Sequence, residues 1–184
     1  MTRVIAGTLG GRRLATPPGR DTRPTSDRVR EALFNSLAGA VTDARFADLY
    51  AGSGAVGIEA LSRGAAHALF VESAPKAARV LRENLATLGV AASAEVVTAP
   101  VAKAVAGTPT QPYDVVFADP PYELPDAELA EVLSALVSGG WIAEDGVVVL
   151  ERSTRTGSPT WASGLTESRS RRYGETTLWY GRAS

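Results

Sequence analysis

DLYAGSGAVG, residues 48–57, decides how the chain around it folds. The apolar run FADLY, residues 46–50, leads straight into Gly52, Gly54 and Gly57, and a helix-period stretch follows. That order is strand, tight turn, helix, and the G-x-G-x-x-G spacing lets backbone come close to a ligand at a helix N-terminus. Glu72 stands 20 residues beyond Gly52, at the end of the next apolar run, HALFV. A strand-end carboxylate there accepts from ribose hydroxyls, while the helix N-terminus favours an anionic group. The turn therefore predicts a nucleoside-type cofactor held by Ala51, Gly52, Ser53, Gly54 and Gly57, with Glu72 and Ser73 beside them. NAD and S-adenosylmethionine both contain a ribose, and the glycines leave both open. With the methyl donor, the anionic group is the amino-acid carboxylate, and Asp48 is expected to face its ammonium.

Outward from the turn, short apolar runs alternate with helical periods. HALFV is followed by a helix from Pro75 to Leu88, then come AEVVT, YDVVFAD, a helix from about Asp126 to Leu136, and GVVVLER. This alternation predicts an α/β fold, a doubly wound and mostly parallel sheet with helices on both faces. The stretches Leu165 to Arg171 and Thr176 to Tyr180 predict an antiparallel hairpin at its C-terminal edge. Ahead of the sheet, Arg3 to Ala6 and Arg12 to Thr16 read as a small hairpin around glycines. A Pro- and Thr-rich loop ends in Thr25, Ser26 and Asp27, any of which can cap a helix carrying Val29, Leu33, Phe34 and Leu37 on one face. That reading turns Arg28 and Arg30 toward other faces and ends the helix by Gly39. The division is a basic N-terminal extension, residues 1–39, and a Rossmann-like domain, residues 40–184.

ADPPY, residues 118–122, chooses between the two cofactors. It ends the fourth strand of the alternating series, predicted to lie next to the first, so Asp119 sits across the crevice from the glycine turn. An exocyclic amino group of a nucleobase is a poor nucleophile because its lone pair is conjugated into the ring. Two acceptors can grip its N–H bonds and aim the nitrogen at an electrophilic methyl. Asp119 and the carbonyl of Pro120 are those acceptors. Pro120 and Pro121 stiffen the exit from the strand, and Tyr122 offers a stacking face for the base. A rigid capped turn alone explains Asp and one proline better than it explains Pro-Pro-Tyr.

Composition bounds the rest. The 184 residues are 45% hydrophobic and 21% charged, ordinary for one globular unit, and there is no apolar run near the roughly 20 residues a membrane helix needs. The opening MTRVIAGTLGG lacks the apolar segment of a secretory signal, and cysteine is absent, so a cytoplasmic protein without disulfide or thiolate chemistry is expected. His67 is the single histidine, which argues against a metal site. The net charge of −1 is unevenly spread. Residues 1–35 hold seven arginines against three carboxylates and residues 151–184 six against three, which leaves −8 between them. Basic flanks on an acidic middle predict a polyanion partner, with Arg12, Arg13, Arg23, Thr25, Arg28 and Arg30 as candidate contacts.

DLYAGSGAVGIEALSRGA (48–65) together with ADPPY resembles the Rossmann-like S-adenosylmethionine-dependent methyltransferases that act on amino groups. RPTSDRVREALFN (23–35) ahead of them is similar to the RsmD family, small-subunit rRNA guanine-N2 methyltransferases, over nearly the whole chain. The resemblance implies methylation of guanine 966 of 16S rRNA within a small-subunit assembly particle. It implies S-adenosylmethionine as donor and S-adenosylhomocysteine as product; no metal and a monomer are expected beside it. It places the cofactor at Asp48, Gly52, Gly54, Gly57 and Glu72, and the target base at Asp119, Pro120, Pro121 and Tyr122. One departure stands out: many related methyltransferases carry an acidic residue after the third strand for the adenine amino group, where this chain has Thr98, Ala99 and Pro100. The alternatives are a DNA adenine-N6 methyltransferase, an NAD-dependent oxidoreductase and a noncatalytic ribosome-binding module. The first shares the strand-end motif, the second the glycine turn and the third the basic arm.

Overall fold

A computed structural model describes residues 2–17 and 25–184 of the chain. It begins with an antiparallel hairpin, β1 (Thr2–Arg3) and β2 (Arg13–Leu14), in which Thr2 faces Leu14. There follow α1 (Asp27–Leu37), β3 (Arg45–Leu49), α2 (Ala55–Ser62), β4 (His67–Glu72), α3 (Pro75–Thr87) and β5 (Ala94–Thr98). A four-residue helix α4 (Val101–Ala104) makes the crossover to β6 (Tyr113–Ala118), followed by α5 (Asp126–Ser138), β7 (Ile142–Ser153), β8 (Leu165–Tyr173) and β9 (Thr176–Ala183). The predicted α/β alternation is present, with the β5–β6 crossover shorter than the others.

Strands β3 to β9 form one sheet in the order β5-β4-β3-β6-β7-β9-β8. The first five pair in parallel, and β9 enters antiparallel to both β7 and β8. The C-terminal hairpin thus lies at the sheet's edge as expected, with its second strand on the inside. Period-2 alternation divides the strand residues between two apolar layers. Phe46, Phe70, Val115 and Phe117 meet α1, α2 and α3 on one face, while Leu49, Val71, Val116 and Leu150 meet α4 and α5 on the other. Val4 and Leu14 of the hairpin, with Val29, Leu33, Phe34 and Leu37 of α1, belong to the first of these layers. The N-terminal segment therefore packs into the core of the sheet.

Ser26 proves to be the cap of α1, its side chain accepting from Val29 N at 3.2 Å. Arg30 is a correction to the sequence reading. It is fully buried, because it occupies the i position of the i, i+3, i+4, i+7 face shared with Leu33, Phe34 and Leu37. Its Nη2 donates to Arg3 O at 2.6 Å and to Asp27 Oδ1 at 2.9 Å, and its Nε lies 3.8 Å from Glu59 Oε1. No surface is left for a phosphate. Burial pulls the guanidinium pKa down, and the carboxylates of Glu59 and Asp27 oppose that pull.

Glu59, also fully buried, fastens the hairpin to α2: its Oε1 accepts from Ile5 N at 2.8 Å, and its Oε2 from Ala6 N at 3.0 Å and Arg63 Nε at 2.8 Å. Asn84 of α3 makes a second fastening. It accepts from Ala15 N at 2.9 Å and donates to Ala15 O at 3.0 Å and to Ser53 O, in the glycine turn, at 3.1 Å. No helix among the described residues is long and apolar enough to cross a membrane.

Candidate active site

The glycine turn joins β3 to α2 at the C-terminal end of the sheet. Each glycine answers a different physical demand. Gly52 has φ 57° and open space where a Cβ would stand. Gly54, at the N-cap of α2, has φ 86°, and a Cβ there would run into Leu81 Cδ1. Gly57 has ordinary helical backbone, but a Cβ would overlap the Phe70 ring, so it serves close helix–strand packing.

Two carboxylates hold the turn. Glu72 Oε1 accepts from Gly52 N and Oε2 from Ala74 N, both at 2.8 Å, which leaves each oxygen further lone pairs at the rim. Asp48 Oδ2 accepts from Gly57 N at 2.9 Å under the turn, and the residue is only 2% exposed. Asp48 thus braces the turn, a duty the sequence reading did not include. Burial pushes its carboxyl up to about 8, Glu72 and Glu151 push the same way, and the Gly57 N–H opposes them. Ser53 is buried beneath the turn, Ala51 is half-buried and Ser73 is exposed.

Parallel register brings the second motif beside this turn. Leu49 pairs with Ala118, the last residues of β3 and β6, so Tyr50 and Asp119 leave neighbouring strands at the same end. On the other side of β6, Ala118 pairs with Leu150 of β7, which places Glu151 next to Asp119. Thr25 Oγ1 lies 3.5 Å from Asp119 Oδ2 and 3.4 Å from Glu151 Oε2. Burial raises the proton affinity of both carboxyls, and for Asp119 the charge of Glu151 adds to the effect. The two titrate as a pair. Pro120 is buried, Pro121 is exposed, and Tyr122 projects with 71% of its surface free.

Sequence reasoning missed Glu151. Its signal was the one used for Asp119, a carboxylate on the C-terminal side of an apolar strand run, here VVVLE. Thr25 is a second correction: it is buried against the two carboxyls and is no surface contact for a polyanion. Arg12, Arg13 and Arg28 are exposed, and Arg12 Nη2 donates to Thr87 O at 3.4 Å near the end of α3. Arg23 lies outside the described residues. After β5, Thr98 Oγ1 accepts from Arg82 Nη2 at 3.0 Å, and Ala99 N donates to Glu72 O at 3.2 Å.

The strand order, the inserted antiparallel strand and the glycine turn facing a strand-end Asp-Pro-Pro-Tyr define a Rossmann-like methyltransferase fold. Comparison with solved structures agrees: yhhF from Escherichia coli superposes with TM-score 0.88 at 37% identity, covering 100% of this chain and 98% of that one. Within that class, the chain belongs to the RsmD family. The family model described as Conserved hypothetical protein 95 matches residues 2–182. Ribosomal RNA small subunit methyltransferase D of Escherichia coli K12 is 42% identical over 158 residues, 86% of this chain and 78% of the relative. The protein of the same name from Haemophilus influenzae is 38% identical over 151 residues, 81% and 77% of the two chains.

Proposed function

We propose that the protein transfers a methyl group from S-adenosylmethionine to the exocyclic N2 of a guanine in 16S rRNA, guanine 966 by family resemblance. The observation that carries this reading is the register of β3 with β6, which sets Asp119 beside the glycine turn. The names of the relatives support rRNA of the small subunit as substrate.

The turn suits the donor. Gly52 offers an open backbone surface, Glu72 retains acceptor capacity for ribose hydroxyls, and Asp48 is a buried carboxyl whose ionisation a nearby cation favours. Bound there, S-adenosylmethionine supplies an electrophilic methyl on a sulfonium and leaves as S-adenosylhomocysteine. The chain's own residues then bind and aim the base, with no metal in the proposal. Asp119 accepts one N2–H and the Pro120 carbonyl the other, holding the nitrogen lone pair toward the methyl. As positive charge develops on N2, the raised proton affinity of the Asp119–Glu151 pair suits it to receive the departing N2 proton. Tyr122 stacks on a base flipped out of its helix or presented by a loop.

Arg12, Arg13 and Arg28 contact phosphates, as does Arg23, so residues 1–39 act as the RNA-binding extension of a catalytic domain at 40–184. We take the substrate to be a small-subunit assembly particle in the cytoplasm and the enzyme a monomer. Nucleoside mass spectrometry of rRNA after incubation of particles with protein and methyl donor tests the proposal. N2-methylguanine at one position supports it. Methyl incorporation into duplex DNA adenine, or none into particles, refutes it.

A further inference from the structure

We infer that Glu151 is the residue that reads the ring N1–H of the target base, and so restricts the site to guanine over purines with an acceptor at N1. The inference rests on the guanine-N2 reading above and adds a residue and a selection rule to it.

Glu151 follows Leu150, the partner of Ala118, so it stands within β7 next to Asp119, where β6 has ended, and on the side away from the glycine turn. A base whose amino group is gripped by Asp119 and aimed at the turn has its next ring atom available to a neighbour of Asp119.

The single proton of the Thr25 hydroxyl cannot serve both Asp119 Oδ2 and Glu151 Oε2, although it lies within 3.5 Å of each. Glu151 Oε1 is buried and no N–H or hydroxyl donor among the described residues reaches it, and a proton shared between the Asp119 and Glu151 carboxyls would fill only one of their acceptor sites. Buried acceptors of this kind are costly unless a donor arrives. The free protein thus holds more acceptor capacity at this point than its own donors fill.

Guanine carries N1–H and N2–H at neighbouring positions of its Watson–Crick edge, both nitrogens bonded to C2, two donors that match two carboxyl acceptors. Adenine places an acceptor, N1, beside its amino group, and that lone pair would face the oxygens of Glu151. A site whose buried polar groups require a partner rejects a ligand that lacks it far more strongly than an apolar pocket rejects a misfit.

The test uses small-subunit particles assembled with rRNA carrying guanine or 2-aminopurine at the modified position. 2-Aminopurine keeps the 2-amino group and has an unprotonated N1. The wild-type protein should prefer guanine in kcat/KM by about 100-fold or more. In Glu151→Gln the side-chain amide can donate to an unprotonated N1, and the preference should fall at least tenfold or reverse, with affinity for S-adenosylmethionine within twofold of wild type. An unchanged preference ratio in this variant overturns the inference, because a merely structural glutamate would affect both substrates alike. Equal use of the two bases by the wild-type protein overturns it with no variant needed. A wild-type protein that methylates an adenine amino group in particles also overturns the inference. The loss of the guanine-N2 reading is separately visible in the identity of the methylated nucleoside.

Discussion

Arg30 of α1 and Glu59 of α2 face each other 3.8 Å apart, neither side chain exposed to solvent. Through them the N-terminal extension is anchored to the helix that begins at the glycine turn, since Glu59 also holds Ile5 N and Ala6 N. Removing one partner of such a pair leaves a buried charge behind, which typically costs about 3–5 kcal/mol. Arg30→Met should lie toward the lower end, because Arg63 and two backbone donors still serve Glu59. The double variant Arg30→Met, Glu59→Gln should recover part of the loss. Urea unfolding of the four proteins measures the coupling, and strict additivity would show that the two side chains do not interact.

The glycines of the turn should separate stability from cofactor binding. Gly57→Ala drives a methyl into the Phe70 ring and is expected to cost about 1–3 kcal/mol of stability by overpacking. Gly52→Ala meets no atom of the protein and costs about 1–2 kcal/mol for its left-handed backbone. Its Cβ, however, would stand in the space proposed for the cofactor. Calorimetric titration with S-adenosylmethionine should show the larger loss of affinity for Gly52→Ala, and the reverse ranking would move the cofactor away from the turn.

Asp48 gives the ligand-free protein a pH dependence. Its folded value of about 8 lies above the ordinary 3.8, so between these the folded chain holds a proton that the unfolded chain releases. The stability linked to that proton is fully present below about pH 4 and is lost as pH rises toward about 8. Asp48→Asn, whose Oδ1 can still accept from Gly57 N, should flatten this part of the stability profile. A cationic ligand nearby favours the ionised form, so donor binding at pH 7 should release a proton and tighten toward pH 8. Titration in buffers of different ionisation enthalpy reads the proton directly, and no release at pH 7 would contradict the assignment.

Asp119 should separate binding from chemistry. Asp119→Ala removes the acceptor proposed for the N2–H but touches none of the turn's hydrogen bonds. Methylation of particles is expected to fall by at least about 100-fold. Affinity for the donor should stay within twofold. Wild-type turnover in this variant would remove Asp119 from the mechanism.

Local chemistry is what the sequence by itself determined. Strands and helices followed from apolar periodicity, the turn at 52–57 from glycine spacing, and the stiff strand exit at 120–121 from proline, because each depends on residues close along the chain. Adjacency of ADPPY to the glycine turn was also legible, since alternating strands and helices admit few sheet orders. Arg30 shows the limit. The apolar spacing reads as turning it away from the core, as its charge favours, and only Glu59, brought to it by packing of α1 on α2, accounts for its burial. Thr25, Asp119 and Glu151 meet from three distant points of the chain, with 94 and 126 residues separating the threonine from the two acids. No local pattern encodes that meeting, because burial, shared protons and unmet acceptors arise only where strand register and helix packing bring side chains together.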